Sequence, residues 1–407
     1  MLFKVDTIYD AREKILERAK QWRIKTETVS LSKAQNRILS GDLFAPLDVP
    51  GFERATVDGY AVVSSDTQGA SEAIPVLLKL AGSVQMGRLT GFSIKSGECA
   101  YVPTGGMLPP GADAVVMLEY CENSGGHIAV GEAAAAGAGM AILGEDFKKG
   151  ELLLRRGTKI RAKEAGALAA AGVSRVSVFS PIKAAIISTG DELVSPEKEP
   201  CPGEVRDINS QTLKAKAEKC NYDVVFNRIL PDNSALLEEA LAEAINECDL
   251  VIVSGGSSKG EKDLTLSSIN HVSKPGAFTH GLAMKPGKPT ILGWDEEKKK
   301  LLSGLPGHPV AALMVFEILF RWLSDKIFCC AEPFAIPASL SCNVPGAPGR
   351  TLCQPVMLHF ADGAYSAEPV FGKSGMITTL TKADGYILLD LNKEGLNSGD
   401  QVLVHLL

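Results

Sequence analysis

The chain has 407 residues, of which 45% are hydrophobic and 22% charged. That length exceeds one ordinary core and that balance excludes wholesale disorder, so several globular domains are expected. The net charge of −6 argues against a nucleic-acid coat and leaves room for a local basic site.

The start, Met1-Leu2-Phe3-Lys4-Val5-Asp6, lacks the basic-then-apolar pattern of a secretory signal. Residues 7–22 read as an amphipathic helix, with Ile8, Ala11, Ile15, Ala19 and Trp22 at helical spacing. A weaker helix is expected over 32–39, before Pro46, Pro50 and Gly51 break the pattern. Residues 50–140 change character. Short apolar runs at 74–78 and 114–117 lie between glycines and prolines, which is the pattern of strands and turns. The stretch 131–139 is almost all Ala and Gly and reads as a linker or loop. A short strand follows at 152–154, then an alanine-rich helix over 162–171 ended by Gly172. The β-rich block thus reads as an insertion between two parts of another unit.

Residues 178–327 alternate strand and helix. Strands are expected at 184–187, 222–229 and 249–253. Helices are expected at 211–219 and 234–245, with a final amphipathic one over 309–323. This alternation predicts a parallel sheet with helices on both faces. Residues 328–407 return to short apolar runs, consistent with a small barrel or sandwich. No run of about 18 apolar residues suggests a membrane span. The nine cysteines are an odd count with no Cys-x-x-Cys and a vicinal Cys329-Cys330. A disulfide framework or zinc knuckle is not expected, and a reducing cytoplasm fits.

Five segments carry candidate chemistry. Ser254-Gly255-Gly256-Ser257-Ser258-Lys259-Gly260 follows a buried strand and is followed by Asp263. Glycine amides and serine hydroxyls there suit a phosphate, although a plain strand-to-helix turn reads equally well. Thr189-Gly190-Asp191-Glu192 ends the first strand of the same sheet, and Asp232 ends the second. Their carboxylates suit a hydrated Mg²⁺ or, alternatively, helix caps. In Lys285-Pro286-Gly287-Lys288-Pro289 two ammonium groups flank a stiff turn and favour a dianion, against the alternative of a solvated turn. Leu305-Pro306-Gly307-His308-Pro309 opens the last helix with free amides or a simple cap. In the β-rich block, Asp58-Gly59-Tyr60, Thr104-Gly105-Gly106 and Gly144-Glu145-Asp146 each read alone as turns.

Taken in order, these motifs, with Pro110-Gly111-Ala112-Asp113, resemble the molybdopterin molybdotransferases of the MoeA type, which are similar to the E domain of gephyrin. The resemblance implies a multidomain α/β plus β chain. Residues 1–48 and 141–177 would form a split linker and dimerisation unit, and 49–140 a β-rich insert. Residues 178–327 would form a MogA-like, doubly wound molybdopterin-binding unit, and 328–407 a C-terminal β-barrel-like unit.

It also implies a transferase that takes adenylylated molybdopterin and molybdate and releases AMP with Mg²⁺ to give molybdenum cofactor. A homodimer follows, with the cleft shared between subunits. Molybdopterin adenylyltransferase and molybdoenzymes would be partners, with no nucleic acid and no membrane. By position, Asp58, Asp146, Glu192, Asp263, Lys285 and Lys288 match catalytic residues of the family, and Glu192, Asp232 and Asp263 the metal-binding acids. Substrate-binding positions fall on Thr104, Asp191, Asn209, Gly255, Gly256, Ser257, Ser258, Pro289, Gly307 and Ser374.

Several residues depart from the family pattern. Ala55 and Val57 stand where Ser and Met are usual, Ile208 replaces a common Ser, and His308 replaces the usual Asn. Ala311 stands at a frequent Ser, and Gln354 near an expected Arg. Alternative readings are a tungstate-preferring paralogue or a molybdopterin-binding scaffold without turnover.

Overall fold

The structure, a computed structural model, describes residues 5–255 and 261–407, leaving out the side chains of 261–263. The expectations for Gly256, Ser257 and Ser258, and for the side chain of Asp263, lie outside the described residues.

At the centre, apolar runs form a six-stranded sheet. Tyr222–Leu230, Ile182–Thr189, Leu250–Gly255 and Lys300–Pro306 lie side by side in parallel. The sheet then continues through Ile291–Asp295 to Pro275–His280, and both of these pairings are antiparallel. The expected parallel sheet therefore ends in an antiparallel edge. Residues 296–299 turn the chain directly from Ile291–Asp295 into Lys300–Pro306, and a connection that short cannot make the crossover a parallel pair needs.

Successive strand residues face opposite sides. Ala184, Ile186, Leu250 and Ile252 enter one core, while Ala185, Ile187, Val251 and Val253 enter the other. Helix Asn209–Lys219 and the helical run from Pro309 to Ile327 cover the first face. Ser234–Glu247 and Glu261–Val272 cover the second.

The N-terminal helix is Ile8–Ala19, shorter than the expected 7–22. Thr7 and Asp10 form a reciprocal capping box, so the start is fixed by side chains. Trp22 lies past the helix and donates its indole N–H to the Lys299 carbonyl at 2.8 Å. The buried residues of this helix pack into the first core of the central sheet.

The last helical run was expected to be amphipathic, and it is not. From Pro309 to Phe320 every residue is buried, with a π-helical stretch at Phe316–Arg321 between two α-helical pieces. It shares a core with the sheet, the N-terminal helix and the barrel residues Cys353 and Tyr386, so no face remains for water. Its polar residues Glu317 and Arg321 pair with each other instead.

The helix expected over 32–39 is a single 3₁₀ turn, Leu31–Lys33. Asn36 takes a left-handed φ of 62°, and Ile38 and Leu39 then bridge to Lys159 and Val178 as extended chain. Thr26–Ser30 pairs with Arg175–Phe179, and Leu43–Phe44 with Leu152–Leu154. Segments before and after the β-rich block thus interleave around Leu39, Ile160, Leu168 and Val178.

The block between them is a second six-stranded sheet, with Gly59–Val62 between Glu98–Val102 and Ala114–Met117. Residues 131–139 are a loop, as expected, but a packed one. The Ala134 amide donates to Thr67 Oγ1 at 2.9 Å, and the Val115 amide to the Ala138 carbonyl at 2.8 Å. Gly139 has φ +67°, and a Cβ there would stand 2.5 Å from the Val115 carbonyl oxygen.

The C-terminal strands close into a barrel. Thr351–Ala361 pairs with Ala364–Pro369, and the order continues through Ala335–Leu340, Gln401–Leu406 and Gly385–Leu389 back to Thr351–Ala361. Closure removes the free edges a sandwich would leave. Met284–Lys285, from the central unit, joins this barrel sheet in parallel, with Lys285 opposite Leu352. Among the described residues no helix is long and apolar enough to cross a membrane.

Candidate active site

The parallel register sets one half of the site. Thr189 lies opposite Leu230 and Gly255, and Gly255 opposite Pro306. The carboxyl ends of four strands therefore form one row, the edge where open α/β sheets bind ligands. Gly190-Asp191-Glu192, Asp232, Gly255 and Gly307 all follow from or end these strands. The Asp232 amide donates to Asp191 Oδ1 at 3.1 Å, so the two acidic loops touch. A Cβ on Gly255 would stand 2.3 Å from Thr189 Oγ1, so only glycine fits there. The Glu192 carboxylate oxygens fold back to within 2.7 and 2.9 Å of where a Gly190 Cβ would be.

Asn209 braces this row. Its Nδ2 donates to Ser254 Oγ and to the Gly307 carbonyl, both at 2.7 Å. The amide group expected to bind substrate thus ties two strand ends together. Asp207, which sequence reasoning did not single out as a site residue, is 2% exposed. Its Oδ1 accepts from the Ser210 amide, while its Oδ2, Asn209 Oδ1 and Ser188 Oγ are buried without a hydrogen-bond partner among the described residues. Its sequence signal is an acid just ahead of a helix, which reads as a cap. Replacing Asn209 by alanine strips partners from the Ser254 hydroxyl and the Gly307 carbonyl. A loss of about 1–3 kcal/mol is expected, measured as a shift in the denaturant midpoint at unchanged slope.

The other half is a cavity of about 510 Å³ between the central unit and the barrel. Lys285, Lys288 and Pro289 line it from the Pro-Gly turn, and Pro306, His308 and Ala311 from the start of the last helical run. Gly287 has φ +122°, and a Cβ on it would stand 2.7 Å from Val315 Cγ2, so the turn lies tight on the helix below. The barrel contributes Arg350, Gln354 and Ser374. Among the described residues, three cationic side chains therefore line the space and no carboxylate does.

Gln354, standing near an expected Arg, does not supply donors to the cavity. Its Nε2 is held by the Pro355 and Val370 carbonyls at 3.0 and 2.9 Å. Arg350, four residues earlier, lines the cavity; sequence reasoning missed it because it sits in an ordinary-looking Pro-Gly-Arg turn. Cys353 also lines the wall, but burial pushes its thiol well up and its Sγ lies 3.3 Å from Met314 Sδ. It is thus a thiol packed in the core, with burial favouring its neutral form.

The two halves meet at the turn after Lys300–Pro306. Pro306 ends the strand row and lines the cavity, and His308 lines it two residues on. His308 Nδ1 lies 2.7 Å from Ser374 Oγ, and the Val310 amide donates to the Ser374 carbonyl at 3.1 Å. The expected residues Lys285, Lys288, Pro289 and Ser374 are thus brought together.

Asp58, Thr104 and Asp146 lie elsewhere in this chain. Asp58 Oδ1 accepts from the Thr104 amide at 2.8 Å, in the turns of the β-rich sheet. Asp146 follows Gly144 at the base of that unit, its amide donating to the Val49 carbonyl at 3.0 Å. None of the three belongs to the strand-end row or lines the cavity. Among the described residues no group of three or more His, Cys, Asp or Glu could hold a metal ion.

Three family descriptions match the chain. They are "MoeA N-terminal region (domain I and II)" over 7–172, "Probable molybdopterin binding domain" over 185–325 and "MoeA C-terminal region (domain IV)" over 337–407. The chain is 32% identical over 404 residues to the molybdopterin molybdenumtransferase of Haemophilus influenzae, covering 98% of each. It is 30% identical to that of Bacillus subtilis, covering 94% of this chain and 90% of the relative. A crystal structure of a molybdopterin biosynthesis MoeA protein from Pyrococcus horikoshii superimposes with a TM-score of 0.79 at 36% identity, over 99% of both chains.

Proposed function

The chain belongs to the MoeA family of molybdopterin molybdenumtransferases, and on that premise we propose that it inserts molybdate into adenylylated molybdopterin with release of AMP. As a member it is a transferase of molybdenum cofactor biosynthesis. The observation that carries the finer reading is the shared turn at Pro306–His308. It joins an acid-bearing strand-end row to a cavity lined by Lys285, Lys288 and Arg350.

The two substrates differ in the way the two halves differ. Molybdate is a tetrahedral dianion, and Lys285, Lys288 and Arg350 offer charge while Ser374 offers a hydroxyl. The adenylylated pterin carries a phosphoanhydride, for which the loop amides that follow Thr189 are suitable donors. Asp191 and Asp232 belong to touching loops, and Glu192 is next in sequence. A hydrated Mg²⁺ usually takes only one or two carboxylates together with substrate phosphates, so Glu192 and Asp232 fit such an ion, with Asp263 as the third expected acid. When bound, the ion would neutralise charge on the anhydride oxygens.

This chain's own residues hold the phosphates at the strand ends and the oxyanion in the cavity. Lysine charge offsets the negative charge that develops as the anhydride P–O bond breaks and AMP departs. Water supplies the oxygen that replaces AMP on phosphorus. The two dithiolene thiols of the pterin displace one molybdate oxygen, which leaves as water with their two protons, so that the sulfurs hold the molybdenum.

A homodimer is part of the same reading. Phe44, Leu47, Phe52, Ile142 and Leu143 are exposed around the base of the β-rich unit, where the Gly144 amide meets the Pro50 carbonyl. Apolar side chains concentrated at one place suit cover by a second copy. That copy's Asp58 and Asp146 would then complete the cleft.

The test supplies purified protein with adenylylated molybdopterin, Mg²⁺ and either molybdate or tungstate, and follows AMP release and metal on the pterin. Oxyanion-dependent AMP release with metal retained is expected. Nucleotide binding without AMP release would overturn the reading in favour of a scaffold.

A further inference from the structure

We propose that His308 sets the direction of the Ser374 hydroxyl, making that serine a hydrogen-bond donor to the oxyanion in the cavity. The inference rests on the reading of the cavity given above and adds a positioning residue to it.

His308 connects two units. It stands immediately ahead of the helix that begins at Pro309, and its Nδ1 contacts Ser374 Oγ on the barrel side at 2.7 Å. The neighbouring backbone makes a second tie, from the Val310 amide to the Ser374 carbonyl at 3.1 Å. The imidazole also lies against the next residue, since a Cβ on Gly375 would stand 3.6 Å from His308 Cδ2 and 3.8 Å from Nε2. Ring and loop thus fit side by side, and the serine is held at the cavity wall.

A serine hydroxyl has one hydrogen to give and rotates to suit its partners. If Nδ1 is bare, the hydroxyl donates to the ring and turns lone pairs toward any anion in the cavity. If Nδ1 carries hydrogen, it donates to Ser374 Oγ, and the serine's own hydrogen is released for an oxygen of the ligand. The tautomer of a histidine is chosen by the bonds its nitrogens make. A dianion drawn in by Lys285, Lys288 and Arg350 therefore selects the form with hydrogen on Nδ1. An asparagine at this position offers an amide N–H of similar reach, whereas alanine offers nothing.

The experiment titrates molybdate into the full chain by calorimetry. It compares wild type with His308→Ala, His308→Asn, Ser374→Ala, the double variant His308→Ala/Ser374→Ala, and Lys285→Ala. Loss of one hydrogen bond to a charged ligand weakens binding about tenfold. His308→Ala and Ser374→Ala should each show that loss, and the double variant no more than either alone, because the two act as one unit. His308→Asn should restore most of the affinity. Both positions border a cavity, so thermal midpoints should hardly move, and the asparagine variant keeps a polar residue at the helix start.

A double variant weakened about a hundredfold, the product of the single effects, would overturn the inference, as would an asparagine variant no better than alanine. If Lys285→Ala alone weakens binding, the oxyanion cavity stands while the role of His308 falls. If wild type binds no molybdate, the cavity reading fails, and this inference with it.

Discussion

Replacing Glu317 by alanine should cost about 3–5 kcal/mol of folding free energy, the range for stripping one partner from a buried ion pair. Glu317 is 1% exposed and lies in the π-helical stretch Phe316–Arg321. Arg321 Nε donates to its Oε1 at 2.5 Å, and Lys216 Nζ stands 2.7 Å from its Oε2. The lysine contact is an ion pair without hydrogen-bond geometry, since that oxygen has no hydrogen-bond partner among the described residues. Arg321 also reaches Asp325 at 2.5 Å. Burial works against the Arg321 charge, but Glu317, Tyr386 and Asp325 together hold its pKa above the usual value.

Without Glu317, two cations remain in an apolar core with Asp325 as the nearest acid, and Asp325 is itself pushed toward its neutral form by burial. Equilibrium denaturation measures the loss. A change below about 1 kcal/mol would mean that water reaches the pair. The effect should extend to the cavity, because Cys353 and Tyr386 of the barrel share this core with the helix.

The second large effect is on binding alone. Lys285→Ala/Lys288→Ala should lower molybdate affinity by at least about a hundredfold, since in the proposed reading each ammonium would make a charge-assisted contact to the dianion. Both side chains are exposed, so the thermal midpoint should stay within a few degrees. Raising the salt concentration should weaken wild type more than the variant, because little attraction is left in the variant to screen. Calorimetry at two ionic strengths checks both statements. An unchanged affinity would move the oxyanion out of this cavity.

The central unit was legible in the sequence because its strands are buried on both faces. Runs such as Asp249-Leu250-Val251-Ile252-Val253 admit few other readings once helices flank them. The helical spacing over 32–39 is a local signal that long-range pairing overrides. Its backbone is claimed by Lys159 and Val178, more than a hundred residues away. The burial of Pro309–Phe320 was hidden for a related reason. Glu317 and Arg321 give the segment an amphipathic look that only their mutual pairing removes.

In the site, Lys285 and Lys288 were legible because two prolines frame them. Arg350 and Asp207 were not, because a turn arginine and an acid ahead of a helix are common in any protein. The double use of Asn209 as a strand brace needed coordinates, since Ser254 and Gly307 are far apart in sequence.

The pairing of Met284–Lys285 with Thr351–Leu352 has a consequence for how such a protein can be rebuilt. An engineer who exchanged the C-terminal barrel for an unrelated module would remove Arg350 and Ser374, and would also free the backbone that seats Lys285. The lysine belongs to the central unit by sequence and to the barrel by hydrogen bonding. A chimaera would therefore retain the residue and lose its placement. A graft that works must carry the 284–289 turn and the barrel together as one transferable piece.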